Sequence, residues 1–258
     1  MAKIPGKVSA RIAAGIKRFQ PVIEAAKTRD VNESDTALIV TDVLAEVMGY
    51  AKYTEITSEY MIRSTYCDLA VALEGRLAVL IEVKAIGAEL KENHIRQAVD
   101  YAANQGCDWV ALTNGVEWQV YKVSFGRPIE HELIVGFNFL ELNPRKQDDV
   151  RLVWLLSKEG WQKSRLNEFA DQRQALSRFT LAAVLLADPC LKVVRRELRR
   201  LSPDVRFNLE QIREGVAQEV LKRDVQEGEH ADAARRRVER MARRPTRPSV
   251  TVQPTPDS

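Results

Sequence analysis

Apolar residues recur at helical spacing over residues 8–27, with Arg11, Lys17 and Arg18 on the polar side. Asn32 can cap a second helix, and Ala37, Leu38, Val40, Val43, Leu44 and Val47 keep the spacing until Gly49 stops it. The period then changes to two. Residues 56–62, 66–73 and 77–85 read as strands, the last two joined by the turn Glu74-Gly75-Arg76. A helix over 91–104 ends near Gly106 and feeds a strand at 109–113. Asn114-Gly115 is the strongest short hairpin signal in the chain, and 118–123 is the returning strand. Residues 133–139 add another. Beyond Pro144 the pattern is helical, over 149–157, 166–186, 190–201 and 203–225, punctuated by Pro189 and Pro203. From Gly228 the apolar period fades, and the Arg, Pro, Thr and Ser composition reads as disorder.

This order predicts a mixed sheet with helices packed on it, an α/β or α+β fold, followed by an all-helical appendix. Four regions are expected: an N-terminal helix at 1–30, a core at 31–142, a helical region at 145–227 and a basic, disordered tail at 228–258. With 258 residues, 45% of them hydrophobic, the chain can bury a core without disulfides. Cys67, Cys107 and Cys190 are far apart and set among apolar residues, as buried thiols of a reducing compartment are. His94, His131 and His230 are isolated, so zinc is not expected. The apolar stretch at 181–187 is too short to span a membrane and no secretory signal core is present, so a cytoplasmic location is expected. The formal net charge of +3 divides unevenly: seven arginines and three acids give residues 231–258 a charge of +4 and leave −1 for the rest.

The candidate chemistry lies on two strands. Alternation puts Asp68 on the face opposite Cys67, Leu69 and Val71, and puts Glu82 and Lys84 on one face with Val79, Ile81 and Val83 on the other. An unpartnered charge in a core strand costs several kcal/mol, roughly, so three charges there need an explanation. Two carboxylates on adjacent strands make a hard oxygen site suited to Mg²⁺, to which the Val83 carbonyl can add a ligand. Lys84, on the same face, can orient and help deprotonate the attacking water and stabilise charge on a phosphate. A structural ion pair of Asp68 or Glu82 with Lys84 explains the same three charges, and Glu-x-Lys alone is no signal, because Glu89-Leu90-Lys91 repeats it in a polar stretch.

Asp68 followed by Ile81-Glu82-Val83-Lys84 resembles the PD-(D/E)xK nuclease motif. The nearer resemblance is to the N-terminal nuclease domain of type I restriction enzyme R (HsdR) subunits and their stand-alone relatives. Its supports are the helix from Asn32-Glu33-Ser34-Asp35-Thr36 to Gly49-Tyr50, the Gln97-Ala98-Val99-Asp100-Tyr101 helix, and the Leu112-Thr113-Asn114-Gly115-Val116-Glu117-Trp118 hairpin. It covers about residues 28–142. Cys67-Asp68 stands where the motif usually has Pro-Asp. No G-x-x-x-x-G-K-[ST] stretch occurs, so neither a motor activity nor a nucleotide cofactor is expected of these residues.

The resemblance implies a Mg²⁺-dependent DNA endonuclease, with Mn²⁺ able to substitute, acting in restriction or defence. The catalytic candidates are Glu33, Asp68, Glu82, Lys84 and Gln97, and the metal candidates are Asp68, Glu82 and Val83. Glu33 would complete the acidic cluster, or merely favour the helix dipole; Glu46 is the weaker candidate for that role. Gln97 would contact Lys84, the scissile phosphate or a base, or be an ordinary helix residue sharing a face with Tyr101. Trp109 and Trp118 read as core. Arg195, Arg196, Arg199 and Arg200 could face a duplex backbone or acids on a neighbouring helix, and the basic tail reads as a solvated end or as a phosphate grip. A second copy or a partner protein could dock on the helical region. The alternative function is a nuclease-fold subunit that binds DNA or protein, inactive without a motor or specificity partner.

Overall fold

The computed structural model describes residues 3–62, 65–126 and 129–242. Its contacts divide the chain into two units, residues 1–170 and 171–258.

The first unit is built on a six-stranded sheet in the order β1-β2-β3-β4-β5-β6. Strands β1 (Ile56–Ile62), β2 (Thr65–Leu73) and β3 (Arg76–Val83) form the antiparallel meander that the period-two pattern predicts. Helix α3 (Glu92–Gln105) crosses over to β4 (Trp109–Thr113), which pairs parallel with β3. Strands β5 (Glu117–Ser124) and β6 (Glu130–Asn138) extend the sheet by antiparallel pairing. Leu69, Val71, Val79, Ile81 and Val83 join one apolar cluster, which includes α1 (Gly6–Thr28) and α2 (Glu33–Asp42). Ala70, Leu80, Val110 and Leu112 join the other, filled by Ile95, Ala98 and Ala102 of α3. Helices thus cover both faces, and the α+β reading holds.

Several expectations need correction. The expected N-terminal helix is α1, and it packs into the core: Ile12, Ile16 and Ile23 are fully buried in the main cluster, with Val150, Val153 and Trp154 of α4 (Gln147–Leu155). Arg11, expected on the wet side, is half-buried; it pairs with Glu159 at 2.6 Å and donates to the Val47 and Met48 carbonyls at 3.1 and 3.2 Å. These carbonyls need it because the helix begun at Glu33 widens into a π-helical turn at Val43–Val47, which leaves its end without regular partners.

After α5 (Lys158–Gln162), the helix expected over 166–186 is two helices, α6 (Arg165–Ala175) and α7 (Arg178–Leu185). Ser177 caps the second by accepting from the Thr180 N–H at 3.2 Å. The second unit continues with α8 (Asp188–Leu201) and α9 (Leu209–Gly215), tied by Arg213 to Asp188 at 2.6 Å. The segment expected to be disordered from Gly228 begins instead with a helix, α10 (Glu229–Ala242). Ala231 and Ala234 are buried, and His230 packs on Phe179 of α7 at 5.4 Å. A stripe of alanines buries well but carries a weak apolar signal. Residues 243–258, the rest of the expected tail, lie outside the described residues.

Candidate active site

The β2–β3 pairing is in register at Val71↔Val79, Ala70↔Leu80 and Leu69↔Ile81, and no pair follows on the Asp68 side. Beyond it, the main-chain N–H of Val83 donates to Asp68 Oδ2 at 2.7 Å, so a side chain takes a donor on the neighbouring strand. Toward β1, Ser58↔Leu69 and Tyr60↔Cys67 flank Asp68, and the intervening Glu59 has a left-handed φ of 48°. Asp68 therefore sits at a kink on both sides. The kink also corrects the alternation: Cys67 joins Ala70 and Leu80 in the α3-side cluster rather than Leu69 and Val71. Burial, then the charges of Glu82 and Asp68, pushes its thiol up to about 12, so Cys67 is no nucleophile.

Strand β3 supplies the other two charges. Glu82 is 2% exposed. The Lys84 main-chain N–H donates to Thr113 O at 2.8 Å, prolonging the pairing with β4. Its Nζ reaches Glu82 Oε1 at 2.8 Å and Glu33 Oε2 at 3.5 Å. Glu33 is in place because Asn32 caps α2, accepting from the Asp35 N–H at 2.9 Å. Asp68, Glu82, Lys84 and Glu33 are thereby brought together, three carboxylates around one ammonium.

Burial raises the Glu82 carboxyl; the Lys84 hydrogen bond opposes this and the Asp68 and Glu33 charges add to it, leaving it above the usual range. Asp68 is raised too, by burial first, against the Val83 N–H and Lys84. Burial pulls Lys84 down, but the Glu82 hydrogen bond and the surrounding carboxylates outweigh it, and its pKa is raised. The pocket thus holds more negative charge than its lysine balances. Glu82 Oε2 is buried and has no hydrogen-bond partner. Such an oxygen beside a second carboxylate fits a hard divalent cation, with the Val83 carbonyl as the expected third protein ligand. Among the described residues, no three His, Cys, Asp or Glu side chains are grouped to hold a metal. A cation here would rest on two carboxylates, a carbonyl and water, the sparse set Mg²⁺ accepts.

Other candidates fall elsewhere. Glu46 pairs with Arg18. Gln97 is exposed and donates to Tyr101 Oη at 2.8 Å, not to Lys84. Trp109 and Trp118 are buried core residues. The Asn114-Gly115 turn does more than turn. Asn114 is buried, accepts from the Val116 and Glu117 N–H groups at 3.1 and 2.7 Å, and donates to Ala88 O at 2.8 Å, anchoring the loop that follows Lys84. His94, in the first turn of α3, lies in the field of Lys84 and Glu33; burial and then the Lys84 charge lower its pKa. Nothing in its sequence context set it apart from the other isolated histidines.

Residues 39–134 match the model of a known family: type I restriction enzyme R protein N terminus (HSDR_N). The matched stretch runs from within α2 into β6, so it contains Asp68, Glu82, Val83, Lys84 and Gln97 and excludes Glu33. Neither a search of curated proteins nor one of solved structures found a match. The matched stretch thus includes the meander, the α3 crossover and the hairpin that hold the candidate site. No helix among the described residues is long and apolar enough to cross a membrane.

Proposed function

We propose that this protein is a Mg²⁺-dependent endonuclease that hydrolyses DNA phosphodiester bonds, in a restriction or defence role. The observation that carries the reading is the buried Glu82 carboxylate, with one oxygen on Lys84 and the other unpartnered beside Asp68. A purely structural ion pair has no use for an orphaned buried oxygen, which costs roughly 1–3 kcal/mol. The match of residues 39–134 to the restriction-enzyme family adds independent support.

In this reading Asp68 and Glu82, with the Val83 carbonyl, hold the cation. When bound, the cation supplies a Lewis acid for the phosphoryl group and offsets its negative charge. Lys84, steered by Glu82 and Glu33, faces the phosphate with a fixed positive charge and aligns the attacking water. Glu33, more exposed, accepts hydrogen bonds from that water. Asn114 holds the loop after Lys84 in place and touches no substrate.

The test is a duplex DNA substrate incubated with the full chain in Mg²⁺ or in EDTA, beside an RNA of the same sequence. Cleavage of the DNA in Mg²⁺ alone, leaving ends that a ligase rejoins without prior phosphorylation, is expected. Binding without cleavage in either Mg²⁺ or Mn²⁺ would overturn the enzyme in favour of a docking subunit.

A further inference from the structure

The loop between Lys84 and α3 is pinned against the chain that enters the site. The Ile86 N–H donates to Val31 O at 3.3 Å, Asn114 donates to Ala88 O at 2.8 Å, and Gly87 lies so close to Asp30 Oδ1 that a Cβ there would overlap it. Residues 85–91 therefore pack against the stretch that leads into Glu33. The N-terminus of α3 follows at the carboxyl end of β3, the end beyond which parallel β–α–β units bind their ligands. His94, half-buried in the first turn of α3, is close enough to Lys84 and Glu33 for both charges to act on it.

One contact fixes the state of this ring. The main-chain N–H of Lys91 donates to His94 Nδ1 at 3.2 Å, so Nδ1 is an acceptor and the neutral ring carries its proton on Nε2. Protonating Nδ1 would set two N–H groups against each other, and burial and the charges of Lys84 and Lys91 oppose it as well. Nε2 has no hydrogen-bond partner among the described residues, which leaves one N–H donor uncommitted in the neighbourhood of Lys84. A donor without charge suits this site: it can bind a phosphoryl oxygen without repelling the cation assigned to Asp68 and Glu82.

We propose that His94 is a further catalytic residue of the candidate site: its neutral imidazole donates Nε2–H to a non-bridging oxygen of the scissile phosphate, alongside Lys84. This rests on the nuclease reading and adds a substrate contact to its site. The test compares the full chain with His94→Asn and His94→Gln, by single-turnover cleavage of duplex DNA at saturating protein in Mg²⁺, by DNA binding in Ca²⁺ and by melting temperature. Asparagine sets an amide oxygen where Nδ1 accepts from Lys91 and has nothing at Nε2; glutamine sets an amide N–H near the position of Nε2. His94→Asn is expected to melt at the wild-type temperature and to bind DNA within about threefold, yet to cleave about 100-fold more slowly, the usual effect of losing one preorganised donor to a transition-state oxygen. His94→Gln is expected to recover at least about tenfold of that loss. A ring that only caps α3 gives the opposite order, with His94→Asn fully active. Full activity of His94→Asn, or equal loss of cleavage in the two variants, overturns the role of His94 and leaves the nuclease standing. No cleavage by the wild type in Mg²⁺ or Mn²⁺ overturns both.

Discussion

Asp68 and Glu82 hold carboxylates where burial favours the neutral acid, and the cost shows as stability. Their folded pKa values are raised above the ordinary ones, so their contribution to stability is full in acid and is lost as pH rises through the raised values. Asp68→Asn keeps an oxygen for the Val83 N–H and removes the charge. In EDTA the variant is expected to melt above the wild type at neutral pH, with the gap closing as pH falls below the carboxylate range. Mg²⁺ reverses the order, because only the wild-type site gains from binding it. Melting curves over pH, with and without the metal, check both halves. Lys84, raised as well, keeps its own contribution until pH climbs past its alkaline titration. At this scale Asp68, Glu82 and Lys84 were legible because charge on an apolar strand is conspicuous. Asn114 and His94 were not, because turn asparagines and lone histidines are common and only tertiary placement gives these two a neighbourhood.

At the scale of elements, strands and long helices were legible wherever burial marks one face. The misses have physical causes. A π-helical turn has the same residue preferences as the helix it widens, so Val43–Val47 left no trace in the pattern. The reversal at Cys67 follows from the kink at Glu59 and Asp68, which alternation cannot see. The contact that seats α1 is equally silent in sequence. A Cβ on Gly15 would come within 2.7 Å of Val47 Cγ2 and 3.0 Å of its Cβ, a branched side chain with little freedom to give way. Gly15→Val is expected to destabilise by about 1–3 kcal/mol in urea unfolding. Asn114→Ala strips acceptors from two turn N–H groups and releases Ala88; a loss of about 2 kcal/mol is expected, with a larger loss of activity than of stability.

For the molecule as a whole, net charge is a poor guide and its distribution a better one. Residues 1–230 sum to −1 and the site itself is acidic, so phosphate is repelled until a cation is bound. DNA binding measured by fluorescence anisotropy is expected to tighten on adding Ca²⁺ and to weaken as salt rises. Metal-independent affinity that Asp68→Asn leaves unchanged would place the DNA elsewhere. The helical second unit was legible as helices but not in its arrangement, because short helices broken at Ser177 and an alanine stripe in α10 carry faint signals. The most direct test of the account is conversion of supercoiled plasmid to nicked and linear forms across a Mg²⁺ titration, wild type beside Lys84→Ala. The account predicts cleavage that rises with Mg²⁺, is absent in EDTA and falls at least about 100-fold in the variant; equal cleavage by both proteins, or none by the wild type at any Mg²⁺, would contradict it.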